Sequence, residues 1–202
     1  EGKTPMPKDR EKQLGTRFMS GSAIRAVEGE GNERTFTLSF SSEDPYQRWY
    51  DATEILSHAD GAVDMTRLND IGVLLFNHDV DRVCGKIKRA WTGDKRGYAE
   101  VEFDDDDEAE RICQKVKNGT LRGVSVRYSV GSYEQVKAGA TSSDGFAGPC
   151  FIARQWTPLE ISIVSVPADA TVGVGRDYDG DPPAPTHLQA YERQLQSNKN
   201  YI

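Results

Sequence analysis

The stretch LRGVSVRYSVGSY (residues 121–133) decides the fold class, because apolar residues alternate along it with small or polar ones. In an extended chain, alternate side chains point to opposite faces, so the two sets separate. This period of two predicts a β-strand with one apolar face and with Ser125 on its polar face. The apolar set is Val124, Val126, Tyr128 and Val130, and the opposite set is Gly123, Ser125, Arg127 and Ser129.

Further strands are predicted on both sides of this stretch by the same signals. They cover residues 35–40, 73–76, 85–91, 98–103, 150–156 and 159–166, and residues 92–97 join two of them as a hairpin loop. One helix is predicted after the acidic run 104–107, with Ala109, Ile112, Cys113 and Val116 on one face and Asn118-Gly119 as its end. The segment 41–70 fits either a long loop or a short helix. The pattern predicts a mainly β, α+β domain, an antiparallel β-barrel or sandwich flanked by helices.

Composition predicts how the chain divides into a domain and its terminal segments. Residues 1–17 are polar and are predicted to be a flexible arm, residues 18–172 the domain, and residues 173–202 a linker with a short helix. A loop rich in Gly and Ser, residues 137–149, is predicted to be mobile. The chain lacks an initial Met and ends abruptly at Ile202, which suggests a processed chain or part of a longer fusion protein.

Charge and cysteine usage exclude several classes of protein. The net charge of −7 argues against a nucleic-acid partner, and no apolar run approaches the roughly 20 residues of a membrane helix. The three cysteines are widely spaced and form no CxxC pair, which fits a reducing compartment without disulfides or a zinc site. We therefore expect a protein of the cytoplasm that needs no cofactor.

Three side chains are candidates for chemistry. His78 follows an apolar strand among turn residues, where an imidazole can act as a general base at neutral pH. Ser125 has no base near it in sequence, and a solvent-facing strand serine is the simpler interpretation. Glu160 lies inside an apolar strand, and a buried carboxylate requires a partner. That partner is either a histidine, as in a catalytic triad, or an arginine, Arg127 or Arg154.

Other sites remain open from the residues alone. Ser162 shares a face with Glu160 and is a second candidate nucleophile. A metal site built from His78 and its acidic neighbours Asp79 and Asp81, or a cysteine nucleophile at Cys113 or Cys150 paired with His78, are weaker alternatives. The acidic run 104–107 lacks the spacing of a calcium loop and suits the N-terminus of a helix.

Three motifs in order carry a resemblance to a known family. The block VLLFNHD (73–79) followed by GKI (85–87) resembles the histidine motif of the caudovirus prohead serine proteases. The block LRGVSV (121–126) is similar to their serine motif, and LEISIVSVPA (159–168) to their third motif. Many members have Gly where this chain has Arg127. That difference alters the shape of the cleft but leaves the nucleophile in place.

The resemblance implies a specific function. Ser125 would be the nucleophile, His78 the general base and Glu160 the residue that orients it, on a β-barrel like that of the herpesvirus assembly proteases. The enzyme would be a serine endopeptidase in the host cytoplasm, inside the assembling prohead, and would cut the scaffold segment of the major capsid protein and itself. A homo-oligomer is expected by analogy. The alternatives are a catalytically inactive scaffold or assembly factor of the same fold, and an unrelated β-barrel binding module.

Overall fold

Ten β-strands and two α-helices make up the part of the chain that this computed structural model describes, residues 13–19, 24–47 and 53–165. The helices are α1 (Thr66–Ile71) and α2 (Asp107–Lys117). The strands are β1 (Gln13–Met19), β2 (Ile24–Ala26), β3 (Thr35–Ser42), β4 (Tyr46–Gln47), β5 (Thr53–Leu56), β6 (Val73–Phe76), β7 (Asp79–Gly93), β8 (Arg96–Phe103), β9 (Gly123–Val136) and β10 (Cys150–Val164).

The strands form one sheet in the order β1-β9-β10-β6-β7-β8-β3-β2, and β5 pairs with both β10 and β4. The sheet curls into a half-barrel, because β3 near one end also contacts β1 and β9 at the other. The mainly β class is confirmed. The purely antiparallel arrangement is wrong for β10, which pairs in parallel with β5 and β6.

Helix α2 follows the sequence signals closely. The carboxylate of Asp106 caps it by accepting the backbone N–H groups of Glu108 and Ala109 at 2.9 and 3.1 Å. This contact explains the acidic run, because carboxylates favour the positive end of a helix dipole. The predicted apolar face is buried against the sheet, and Gly119 follows the helix with a positive φ of 71°.

Several boundaries differ from the prediction. Residues 13–17, assigned to the flexible arm, belong to β1, which pairs with β9. The segment 150–156 and residues 159–164 of the next predicted segment form one strand, β10, whose pairing with β9 continues past Pro158 with a register shift between Pro158 and Glu160. The hairpin between β7 and β8 turns on Asp94 and Lys95 alone, both with positive φ, so it is tighter than predicted.

The loop 137–149 contains a β-bridge between Thr141 and Ala147. Among the described residues of the segment 41–70, the short-helix alternative is realised only at α1, which lies between β5 and β6 in the chain. Residues 1–12 of the predicted arm and the predicted linker and helix of residues 173–202 lie outside the described residues. Within the described ranges, neither helix has the length and apolar character needed to cross a membrane.

Candidate active site

The topology of the sheet brings three distant segments together. Strand β10 lies between β9 and β6, so its C-terminal half is flanked by both. Ser162 pairs with Ser125 on one side, and Ile163 pairs with Phe76 at the end of β6 on the other. The turn after β6 carries His78. Residues from all three sequence motifs therefore lie next to one another at one place on the sheet.

His78 stands between Ser125 and Glu160. Its Nε2 lies 2.6 Å from Ser125 Oγ, and its Nδ1 is in hydrogen-bond contact with Glu160 Oε1. Ser125 is fully buried, and the side chains of His78 and Glu160 are only 13% and 10% exposed. When Nδ1–H donates to the carboxylate, Nε2 is left as the acceptor for the serine proton. A row of hydroxyl, imidazole and carboxylate in this order is the arrangement that serine hydrolases use.

The turn that presents His78 is a two-residue hairpin between β6 and β7. Asn77 and His78 both have positive φ, 55° and 61°, as a type I′ turn requires. Asparagine and histidine are among the side chains that tolerate this region best. Two bonds tie the turn to β10, from Asn77 N–H to the carbonyl of Ile163 at 2.9 Å and from His78 N–H to Ser162 Oγ at 3.1 Å.

Glu160 has both kinds of partner that the sequence left open. Besides His78, its carboxylate accepts a hydrogen bond from Ser162 Oγ at 2.8 Å, and Arg127 Nε lies 3.8 Å from it. Arg154, the other arginine considered, pairs instead with Glu134 and Asp144. The carboxylate of Glu160 therefore has three neighbours: the imidazole of His78, the hydroxyl of Ser162 and the guanidinium of Arg127.

Ser125 and Ser162 occupy different places in this network. The hydroxyl of Ser162 contacts the carboxylate and the backbone of the histidine turn, whereas the hydroxyl of Ser125 contacts the imidazole. The interpretation of Ser125 as a solvent-facing serine is wrong, because the residue is fully buried and its hydroxyl contacts the ring of His78 and the carbonyl of Arg17 on the neighbouring strand β1. The alternating pattern separated Ser125 from the apolar side chains of the strand but could not reveal that distant segments enclose it.

The cysteines are all free and buried. Burial raises the pKa of Cys84 to about 12 and also raises the pKa of Cys113 and Cys150. A thiol with a raised pKa has little thiolate to attack with. Cys113 lies on the buried face of α2, and Cys150 packs in a small cluster with Val136 and Ile152.

The acidic side chain next to His78 in the chain has a hydrogen-bond partner within its own segment. The carboxylate of Asp79 accepts the backbone N–H of Asp81 at 3.0 Å at the start of β7. In the described ranges, no group of three or more His, Cys, Asp and Glu side chains is arranged to hold a metal ion.

Two further buried groups, His58 and Arg17, were missed from the sequence. His58 is buried, with its Nε2 2.7 Å from Ser41 Oγ, and its ring packs edge-on against Trp156. The pKa of His58 is lowered to about 4, chiefly by burial and to a lesser degree by the nearby arginines Arg17 and Arg96. Arg17 is only 2% exposed. Neither residue lies in a patterned segment, so no local signal could have identified it.

A serine, a histidine and a carboxylate in hydrogen-bond contact on a mainly β half-barrel resemble the site of a serine hydrolase. Similarity to known proteins gives the family. The sequence profile of the caudovirus prohead serine proteases matches residues 23–178, and the chain belongs to that family.

A major capsid protein of Halomonas phage phiHAP-1 is 37% identical over 146 residues, which cover 70% of this chain and 23% of that protein. The chain thus spans less than a quarter of that relative's length. Among solved structures, the capsid assembly protease gp21 of bacteriophage T4 matches with a TM-score of 0.49 and 13% identity, over 78% of this chain and 99% of that one.

Proposed function

We propose that the chain is a serine endopeptidase that matures the phage prohead by cutting the scaffold segment of the capsid protein, and itself. The hydrogen-bonded row of Ser125, His78 and Glu160 carries this proposal. The family supports a protease of prohead maturation, and a relative that is named a major capsid protein supports a capsid substrate. The site of action is then the interior of the assembling prohead.

The chemistry follows from the roles of the three groups. Ser125 Oγ attacks the scissile carbonyl carbon while its proton passes to His78 Nε2. The C–N bond then breaks, and the leaving amine takes that proton. Water, deprotonated by the same imidazole, releases the acyl group from Ser125 as a carboxylic acid. Glu160 orients the ring and balances the positive charge that develops on it.

Two parts of the proposal do not depend on the contacts among Ser125, His78 and Glu160. The relation of the half-barrel to the herpesvirus assembly proteases rests on the order of the motifs. A dimer or higher oligomer follows only from that relation. Both are proposals for which analytical ultracentrifugation and an experimental structure are the tests.

Labelling with a fluorophosphonate probe tests the nucleophile and its base together. We expect the full chain to be labelled at Ser125, and Ser125→Ala and His78→Ala to lose labelling while they keep the thermal unfolding temperature within a few degrees. Ser129→Ala is the matched control, because Ser129 is a buried serine on the same face of β9. It should label like the wild type.

The substrate requires its own measurement. Purified capsid protein with its scaffold segment should be cut by the wild-type chain and remain intact with Ser125→Ala. If neither labelling nor cleavage occurs in the folded wild type, the chain is instead an inactive assembly factor, which should then bind capsid protein equally well with or without Ser125.

A further inference from the structure

Strand β1 lies directly beside the candidate nucleophile. It pairs antiparallel with β9, so that Phe18 stands opposite Ser125 and Arg17 opposite Val126. The family match begins at residue 23, so β1 precedes it in the chain. An extended segment added to the edge of a sheet is also how many peptide ligands bind, because backbone hydrogen bonds then hold the peptide.

The backbone of β1 reaches the reacting hydroxyl. Ser125 Oγ lies 3.0 Å from the carbonyl oxygen of Arg17 and 2.6 Å from His78 Nε2. A serine hydroxyl has one proton to donate, so the carbonyl and the imidazole compete for it. Arg17 thus places a peptide carbonyl directly beside the candidate nucleophile, and a substrate bound in the same way would need only to turn its carbonyl carbon toward Oγ.

The side chain of Arg17 fills a pocket suited to a cation. Its guanidinium donates to the carbonyl of Ser42 at 3.2 Å and to the carbonyl of Asp44, and it lies over the ring of Tyr46, 5.3 Å from the centroid. Carbonyl oxygens and the face of an aromatic ring both favour a positive charge. The side chain is 2% exposed, so this pocket is fully enclosed around it.

We propose that the edge of β9 covered by β1 is the substrate-binding site, and that the pocket around Arg17 selects a basic side chain on the acyl side of the scissile bond. This inference rests on the proposed function. Strand β1 is then an internal substrate analogue that competes with the capsid substrate for the site. The bond presented to Ser125 is the one between Arg17 and Phe18.

The selectivity is measured with peptides that copy residues 11–22 and carry Arg, Lys, Gln or Glu at position 17. The enzyme is the full chain with Arg17→Ala, in which β1 has lost its anchor. Ser125 attacks the carbonyl of position 17, the amine of position 18 leaves with the proton from His78, and water frees the new carboxyl group. We expect kcat/KM for the Arg and Lys peptides to exceed that for Gln and Glu by about ten-fold or more, the value of one lost charge-assisted hydrogen bond.

Fluorophosphonate labelling of the full chain measures the competition. Arg17→Ala should label Ser125 faster than wild type, and Arg25→Ala, which removes an exposed arginine of β2, should label at the wild-type rate. Tyr46→Leu removes the aromatic wall of the pocket, leaves the residues of β1 unchanged and should reduce the preference for the Arg peptide. This variant keeps the test decisive if Arg17→Ala unfolds.

The outcomes separate the two claims. Labelling of Ser125 that is unchanged or slowed in a folded Arg17→Ala variant, or peptides with Gln or Glu cut as fast as the Arg peptide, would overturn the inference and leave the proposed function standing. No labelling of Ser125 in any folded variant would overturn the proposed function, and this inference with it. A double variant, Arg17→Ala with Ser125→Ala, should cut none of the peptides.

Discussion

The side-chain carbonyl of Asn77 accepts a hydrogen bond from the backbone N–H of Ser165 at 2.9 Å, across 88 positions of the chain. The hydroxyl of Ser165 also donates to it, at 3.3 Å. Asn77 therefore fastens the turn that carries His78 to the end of β10, the strand that carries Glu160. This contact joins the residue before His78 to the residue directly after the strand of Glu160, and so helps to keep the imidazole beside the carboxylate.

Replacement of Asn77 should shift the side chain of His78 from its position beside Ser125 and Glu160. For Asn77→Ala we expect the unfolding free energy to fall by about 1–2 kcal/mol, because alanine disfavours positive φ and the bond to Ser165 is lost. We expect the rate of labelling at Ser125 to fall by about ten- to a hundred-fold, because small displacements of a catalytic group are costly. Thermal unfolding and labelling rates measure the two effects.

Asn77→Gly separates these causes. Glycine adopts positive φ without strain but lacks the amide, so labelling should stay slow although the turn is unstrained. Asn77→Asp keeps the acceptor oxygen and should lie nearest to wild type. Wild-type labelling in Asn77→Gly would show that the bond to Ser165 does not position the histidine.

Glu160→Gln tests the carboxylate in the row. The amide keeps the shape but loses the charge that stabilises a protonated His78, so we expect the cleavage rate to fall by about 10³-fold or more. The matched control is Glu134→Gln on β9, where the carboxylate pairs with Arg154 away from the histidine. Rates on a capsid substrate within a factor of about three of wild type for Glu160→Gln would remove Glu160 from the proposed mechanism.

Ser162 is predicted to be a positioning residue. Ser162→Ala removes the donor to Glu160 and the acceptor for His78 N–H, and leaves Ser125 in contact with the imidazole. We expect labelling to remain at Ser125 and to slow by about ten-fold, the effect of a loosened hydrogen bond in a buried network. Peptide mapping of the labelled wild-type chain provides the check, since a label on Ser162 would make that serine the nucleophile.

The sequence was sufficient to predict the parts of the fold that depend on neighbouring residues. The alternation along residues 121–133 predicted β9, and the acidic run 104–107 predicted the N-terminus of α2, although not the cap at Asp106. The pairing between distant strands could not be predicted from the sequence, because a period of two does not say which strands lie on either side of a given strand. The pairing of β1 with β9 beside Ser125 is of this kind, and so is the parallel pairing of β10 with β6.

The candidate site divides in the same way. His78, Ser125 and Glu160 were chosen from the sequence, partly through the order of three motifs, and their juxtaposition depends on β10 lying between β6 and β9. Arg17 could not be found, since an arginine in a polar N-terminal segment looks solvated until its carbonyl partners on the β3–β4 connection are known.

Gly85, the glycine of the histidine motif, is predicted to be structural. A Cβ built there would lie 2.1 Å from the carbonyl oxygen of Glu102, a backbone atom that cannot move aside. Gly85→Ala should therefore destabilise the pairing of β7 with β8 by about 1–3 kcal/mol, as overpacking does. Gly93→Ala, in the same strand, meets its nearest atom at 3.9 Å and should be close to neutral. Urea unfolding compares them, and equal midpoints would contradict the packing argument.

His58 should make the fold sensitive to acid. Its pKa is about 4 in the folded chain against a usual value of 6.5, so between these values the unfolded chain binds the proton more readily than the folded one. The titration of His58 therefore does not change the free energy of unfolding above about pH 6.5. As the pH falls below that value it lowers the free energy of unfolding, by an amount that reaches on the order of 3 kcal/mol below pH 4.

His58→Gln removes this titration while an amide remains beside the hydroxyl of Ser41. Urea unfolding at steps between pH 7.5 and about 4 should show that the variant loses stability less steeply with acid than wild type. The difference between the two curves should open below about pH 6.5, where the unfolded histidine begins to bind protons. Carboxylates that titrate in the same range contribute equally to both proteins and cancel in that difference. Two curves that run parallel across this range would mean that His58 binds its proton equally well in the folded and unfolded chain.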